Sequence, residues 1–195
     1  MSSERFSVIS ESAFDPFAYS HGRASGMWQF VPNTGKRFGM KQNWWYDGRR
    51  DIVDSTNAAL EYLAYLYEFM DQDWLLALAS YNSGEGSISR AIKKNKDELL
   101  PVDFWNLRLS RQTSAYVPRL LALIELIKYP KKYNIELPII ENEIYFSIIE
   151  VEEQIDLAVA AELAEIELKH LYILNAGNNR WATSPNGPHR LLIPK

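Results

Sequence analysis

The chain has 195 residues, 47% of them hydrophobic and 13% aromatic, which gives room for one compact domain plus a small appendage and excludes a disordered chain. Twenty-five acidic against 21 basic side chains leave a formal net charge of −4, which argues against a dedicated nucleic-acid binder. Cysteine is absent, so disulfides and thiolate–zinc sites are excluded as well.

The first half reads as short helices joined by loops containing Gly and Asn. Pro32 suits a first helical position, and Gly39 suits the stop of that helix. Asp51 with Asp54 three residues later resembles a capping box. Behind it, Leu60, Leu63, Tyr67 and Met70 follow a 3-4-3 spacing that predicts one apolar helical face. Asp73 is placed to cap a helix from Trp74 that stops at Asn82-Ser83-Gly84. Further helices are predicted from about Glu85 to Lys96 and from Thr113 to Lys128. Pro118 should kink the latter or mark its true start.

After Pro138 the pattern changes. Glu141 to Leu168 holds nine acidic residues and no basic one, most simply a solvated face. Ile144 to Ile149 predicts a strand, Asp156 to Glu165 and Leu168 to Asn175 two short helices, and Arg190 to Ile193 a closing strand. The expected architecture is mainly α, with a small C-terminal β-α-α-β unit. No apolar run is long enough to span a bilayer. Met1-Ser2-Ser3-Glu4-Arg5 lacks the layout of a signal peptide, so the chain reads as an intracellular protein or as a mature or trimmed form.

The aromatic excess, with six Trp and eleven Tyr, suits a groove that stacks on flat ligands such as sugars or bases. The densest run of unusual residues is Glu11-Ser12-Ala13-Phe14-Asp15-Pro16, then Ser20 and Gly26-Met27-Trp28-Gln29-Phe30-Val31-Pro32. Pro16 ends a helix and pushes Asp15 out of α geometry, which puts Glu11 in the last helical turn. There the carbonyl end of the helix dipole disfavours negative charge, and Phe14 and Trp28 would add desolvation if they fold over it. Both effects raise a carboxyl pKa, as a general acid working near neutral pH requires. On local grounds alone, a solvated helix-end glutamate is the default.

Glu-Ser-x-Phe-x-Pro-x-Ala-x-Ser followed by Gly-x-Trp-Gln-x-x-Pro-x-Thr-Gly, spanning Glu11 to Gly35, resembles the signature of the family 1 lytic transglycosylases. These are of the soluble-lytic-transglycosylase type, with a goose-lysozyme-like fold. Ala79-Ser80-Tyr81-Asn82-Ser83-Gly84-Glu85-Gly86 resembles the family's Ala-Tyr-Asn-x-Gly-x-Gly turn, and Gln112-Thr113-Ser114-Ala115-Tyr116-Val117-Pro118 its Glu/Gln-Thr-x-x-Tyr-Val motif. The connecting text, with Asp47-Gly48-Arg49-Arg50-Asp51 and Asp73-Trp74-Leu75-Leu76, is most similar to the membrane-bound transglycosylase D branch. The resemblance implies that Glu11 is the single catalytic acid/base. Ser20 is implied to orient that carboxyl or the substrate acetamido group, and Gln29 to bind sugar from the groove floor between Met27 and Trp28. Tyr81 and Asn82 are implied to face the scissile bond, and Tyr116 to reach toward the catalytic carboxyl. Singly, each has a bland alternative: half-buried tyrosines, a helix C-cap at Asn82, a turn residue at Ser20.

Most glycosidases need two carboxylates. Asp15, next to Pro16 in a turn, reads as structural. The resemblance implies a one-acid route. Glu11 would protonate the β-1,4 oxygen between N-acetylmuramic acid and N-acetylglucosamine in peptidoglycan, then take the proton of the muramic C6 hydroxyl as a 1,6-anhydro ring closes. No metal or organic cofactor is implied. His21, His170 and His189 lack metal-ligand spacing.

Departures from the family pattern are Ser10 where an apolar residue packs, Arg23 for a common Gly and Ser80 for Ala. Only ten residues precede Glu11, so the expected layout is an N-terminally truncated transglycosylase domain over residues 1–137 and an appendage over 138–195. The appendage, with Asp156-Leu157-Ala158 and Leu171 to Gly177, resembles a degenerate LysM module, a type that binds N-acetylglucosamine chains. Peptidoglycan strands are therefore the expected partner of a monomer at the periplasmic or outer-membrane face, reached by a leader absent here. Two alternatives are a non-catalytic peptidoglycan- or chitooligosaccharide-binding fragment and a lysozyme-type hydrolase.

Overall fold

A computed structural model describes residues 11–195. The Ser10 departure and the signal-peptide reading of the first five residues lie outside them. The chain forms two compact units. One is Ala59–Pro138; the other joins Glu11–Ala58 to Ile139–Lys195.

The elements follow the local chemistry of the chain. In α1 (Pro32–Arg37), Pro32 occupies the first turn, where its missing N–H costs nothing, and the chain leaves through Gly39 at φ +77°. Helix α2 (Ile52–Phe69) is capped by Asp51, whose Oδ1 accepts from Val53 and Asp54 N–H groups. The reciprocal half of the expected box does not form, because the Asp54 carboxylate accepts from the Tyr46 hydroxyl and Arg190 instead. The buried stripe running along α2 to Met70 keeps the predicted Leu63 and Met70 but takes Ala59 and Leu66 in place of Leu60 and Tyr67. Leu60 is 44% exposed.

In the Ala59–Pro138 unit, Asp73 caps α3 (Trp74–Ser83) by accepting from Leu75 and Leu76 N–H groups. Gly84, at φ +82°, lets the chain turn directly into α4 (Glu85–Asp97). Helix α5 (Arg111–Lys128) begins earlier than predicted, because Ser110 caps it through Thr113 N–H. Pro118 lies inside α5 and does not start it. Leu76, Leu78, Ile88, Phe104, Val117 and Leu120 are buried in this unit, each side chain contributing about 1.5–3 kcal/mol of transfer free energy.

In the other unit, β1 (Phe146–Glu150) pairs antiparallel with β2 (Arg190–Pro194), Ile148 opposite Leu192. Strand β1 starts two residues later than predicted. Between the strands lie α6 (Leu157–Leu163), capped by Asp156, and α7 (Leu168–Leu174). Leu157, Ala160, Ala161, Leu171 and Leu191 form the core of this β-α-α-β element. Buried Asn175 pins α7 to β2: its amide nitrogen donates to Leu171 and Leu192 carbonyls, and its oxygen accepts from Leu192 N–H. Across the described residues the fold is mainly helical with one two-stranded sheet, as the sequence predicts.

Candidate active site

Glu11 and Ser12 close a helical turn, and the chain then leaves helical geometry through Ala13 and Phe14 at positive φ. Asp15 is structural in this turn, its Oδ1 accepting from Phe17 N–H at 2.8 Å. Glu11 is half-buried and its Oε1 is shielded from solvent. Phe14 is 55% exposed, so burial around the carboxyl has another source than a closed Phe14.

The two halves of the first motif meet here. Ser12 Oγ donates to the Met27 carbonyl at 2.8 Å, which ties the turn carrying Glu11 to the Gly26–Gln29 turn. Gly26 N–H donates to the Ala18 carbonyl, and Gln29 Nε2 donates to the carbonyls of Gly26 and Ala18. Ser20 closes its own turn, accepting from Ala24 N–H at 3.0 Å. Trp28 is only 4% exposed and donates from Nε1 to Thr56 Oγ1, which anchors the turn on α2; Met27 is half-buried. The motif thus builds a fixed loop, with polar side chains spent on backbone groups.

Arg49 locks that loop from outside the motif. Its guanidinium donates to the carbonyls of Arg23 and Phe30 and pairs with Asp47 at 2.7 Å. Gly26 has φ +80°, and a Cβ there would lie 1.9 Å from the Arg49 carbonyl oxygen. The motif glycine is therefore required twice over, by its dihedral and by this close approach.

Tyr81, Asn82 and Tyr116 belong to the Ala59–Pro138 unit. Tyr81 sits at the end of α3, half-buried, its ring 5.4 Å from that of Tyr62. The Tyr62 hydroxyl donates to Glu85 Oε2 at 3.1 Å, in the first turn of α4. Asn82 Oδ1 is buried without a hydrogen-bond partner among the described residues, and Tyr116 is buried in α5. Sequence reasoning passed over Tyr62 and assigned Glu85 no role. The signal for Glu85 was present: an acid directly after the Gly84 turn, inside the second motif. Nothing marks Tyr62 out within its helix.

A separate cleft of about 630 Å³ in the same unit is lined by Phe69, Asp71, Lys93 and Lys96 among others, and contains none of the predicted site residues. Among the described residues no cluster of three or more His, Asp or Glu side chains is arranged to hold a metal ion. No helix among them is long and apolar enough to cross a membrane.

Residues 6–100 match the family described as transglycosylase SLT domain, and residues 145–195 match the lytic transglycosylase MltD, LysM-like domain. The chain is 41% identical over 187 residues to membrane-bound lytic murein transglycosylase D of Escherichia coli K12, covering 96% of this chain and 41% of that protein. It is 31% identical over 99 residues to membrane-bound lytic murein transglycosylase C of Haemophilus influenzae, covering 45% of this chain and 28% of that one. The chain thus spans about two fifths of the length of the E. coli relative. In structure it resembles the 70 kDa soluble lytic transglycosylase of E. coli, with a TM-score of 0.50 and 24% identity over 66% of this chain and 22% of that one, a likeness of fold. The chain carries a transglycosylase SLT domain followed by an MltD-type LysM-like domain.

Proposed function

We propose that this chain cleaves the β-1,4 bond between N-acetylmuramic acid and N-acetylglucosamine in peptidoglycan without water, using Glu11 first as acid and then as base. The observation that supports this best is the placement of Glu11. Its carboxyl ends a helical turn, has one oxygen shielded from solvent, and is held through Ser12 against the Met27 turn of the same motif.

Glu11 gives its proton to the glycosidic oxygen as the bond to muramic C1 breaks. The acetamido oxygen of the same sugar covers the positive charge at C1, so no second carboxylate is needed. The Glu11 carboxylate then removes the proton of the C6 hydroxyl while that oxygen attacks C1 and displaces the acetamido oxygen. Proton and electron pair return to their starting balance, and the product is a 1,6-anhydro ring. Internal attack gains from a high effective molarity that a free water lacks.

In this reading Ser20 and Gln29 fix the loop and contact the sugar, and Met27 and Trp28 wall it. Residues 1–137 supply the chemistry and 138–195 form the LysM-like appendage. We assign such an enzyme to the periplasmic or outer-membrane face of a bacterium, a reading supported by relatives that are named membrane-bound. Digestion of purified peptidoglycan followed by mass spectrometry tests the proposal. Products one water lighter than hydrolysis products are expected, and Glu11→Gln should lower turnover by at least about a thousandfold with an unchanged thermal midpoint. Reducing-end products would assign a hydrolase. Substantial cleavage by Glu11→Gln would remove Glu11 from the role.

A further inference from the structure

The loop before α2 and the loop between α7 and β2 meet along a row of backbone bonds. Asp47 N–H donates to the Gly177 carbonyl and Asn179 N–H to the Trp45 carbonyl, each at 2.8 Å. The Asn179 amide donates to the Asn43 carbonyl and accepts from Arg50. Asn43 in turn accepts from the N–H groups of Trp45 and Tyr46, which fixes the 43–46 turn. At Gly177 a Cβ would lie 2.8 Å from the Tyr46 ring, so the two loops approach as closely as glycine permits.

This rigid seam carries three tryptophans. Trp45 meets Trp181 edge to face with centroids 5.7 Å apart. Trp44 has the Arg180 guanidinium carbon 3.3 Å from its ring centroid. Trp44 nevertheless remains 67% exposed and Trp181 60% exposed. Arg180 Nε is shielded from solvent without a hydrogen-bond partner among the described residues. Large indole surfaces held open to water on a fixed backbone contribute nothing to the core. They do save a ligand the entropy of ordering its binding surface.

We propose that Trp44, Trp45, Trp181 and Arg180 form a composite stacking platform for the peptidoglycan glycan strand, additional to the subsites around the cleaved bond. The proposal rests on the peptidoglycan reading above. A pyranose ring of an N-acetylated amino sugar presents a face of C–H bonds that lies flat on an indole, and the exposed Trp faces supply two such seats. The Arg180 charge, in a chain of net charge −4, suits the carboxylate carried by the muramyl substituent. Residues 43–45 lie in the SLT-matched segment and residues 180–181 in the LysM-like one, so neither matched domain carries the platform alone.

The test is retention of the full chain on insoluble peptidoglycan sacculi, in a Glu11→Gln background so that nothing is cleaved. Trp44→Ala and Trp181→Ala are each expected to weaken retention roughly tenfold, as loss of one stacked ring does elsewhere. Trp44→Phe should restore most of it, and thermal midpoints should not move. With Glu11 intact, both variants should cleave a short soluble muropeptide chain at the unaltered rate. Unchanged retention of both alanine variants would overturn the platform, and so would loss of retention in step with loss of thermal stability. Unchanged sacculus retention with lost binding to vesicles of anionic phospholipid would also overturn it, assigning the tryptophans to a membrane surface. Hydrolytic products from the Glu11 enzyme would sink the catalytic proposal and leave the platform standing.

Discussion

Ser80 shows what the departures from the family pattern cost. It replaces the alanine expected before Tyr81, lies fully buried within α3, and its hydroxyl has no hydrogen-bond partner among the described residues. A buried, unsatisfied hydroxyl costs about 1–3 kcal/mol. Ser80→Ala removes that cost and adds helix propensity, so it should raise stability by about 1 kcal/mol, read as a higher urea midpoint at unchanged slope. An unchanged or lower midpoint would mean that the hydroxyl is satisfied in solution. Arg23 is the second departure, at φ +63°, and this explains why glycine is common there. Both residues were singled out in the sequence as exceptions, but the physical reason for each needed coordinates. Other roles stayed illegible for the same reason. Trp28 and Gln29 read as groove residues in the motif, whereas a linear motif cannot reveal that one indole N–H serves Thr56 or that one amide serves two carbonyls.

Among the elements, those with a strong local signal were legible. Asp73 announces α3, Pro32 announces α1, and Asp156 precedes α6, because a cap is chemistry between near neighbours. Errors arose where distant groups decide. The stripe of α2 keeps Leu63 and Met70 of the 3-4-3 set but exchanges Leu60 and Tyr67 for Ala59 and Leu66, and Asp54 gives up its capping role to Arg190, a residue far along the chain. The Gly26 turn is another such case, since the atom that forbids a side chain belongs to Arg49. Gly26→Ala should therefore destabilise the protein by roughly 2–4 kcal/mol and reduce peptidoglycan cleavage, because the turn carries Met27, which anchors Ser12 beside Glu11. Gly39→Ala is the control. Its φ is similarly positive at +77°, but no atom lies within 4 Å of the added Cβ, so its cost should be only about 1 kcal/mol. Equal midpoint losses for the two variants would show that backbone strain alone is responsible and that the Arg49 contact is relieved at little cost.

At the scale of the whole chain, the compact units do not follow the matched families. The segment Glu11–Ala58, which carries Glu11, folds together with the LysM-like Ile139–Lys195. What joins them is a polar cluster. Arg190 at the start of β2 pairs with Asp51 at 3.0 Å and Asp54 at 2.6 Å, and the buried Tyr46 hydroxyl donates to Asp54 at 2.9 Å. Burial opposes the Arg190 charge, yet the hydrogen bond from Asp54 and the charges of Asp51 and Asp54 outweigh it and hold its pKa above the ordinary value. Burial first, then the negative charges of Asp51 and Asp54, push the Tyr46 phenol well above its usual 10.0. A phenol that stays neutral when folded but ionises near 10 when unfolded stabilises the fold fully below that pH. The contribution fades as pH rises past it, by about 1.4 kcal/mol per unit until the folded phenol itself ionises. Tyr46→Phe removes the titration together with one hydrogen bond. At pH 8 it should be the less stable protein by about 1 kcal/mol, and between pH 10 and 11.5 the gap should close and then reverse. Urea denaturation across that range measures it directly. Parallel pH profiles for the two proteins would mean that Tyr46 ionises in the folded state as freely as in the unfolded one, and that the Asp51–Asp54–Arg190 cluster does not enclose it in solution.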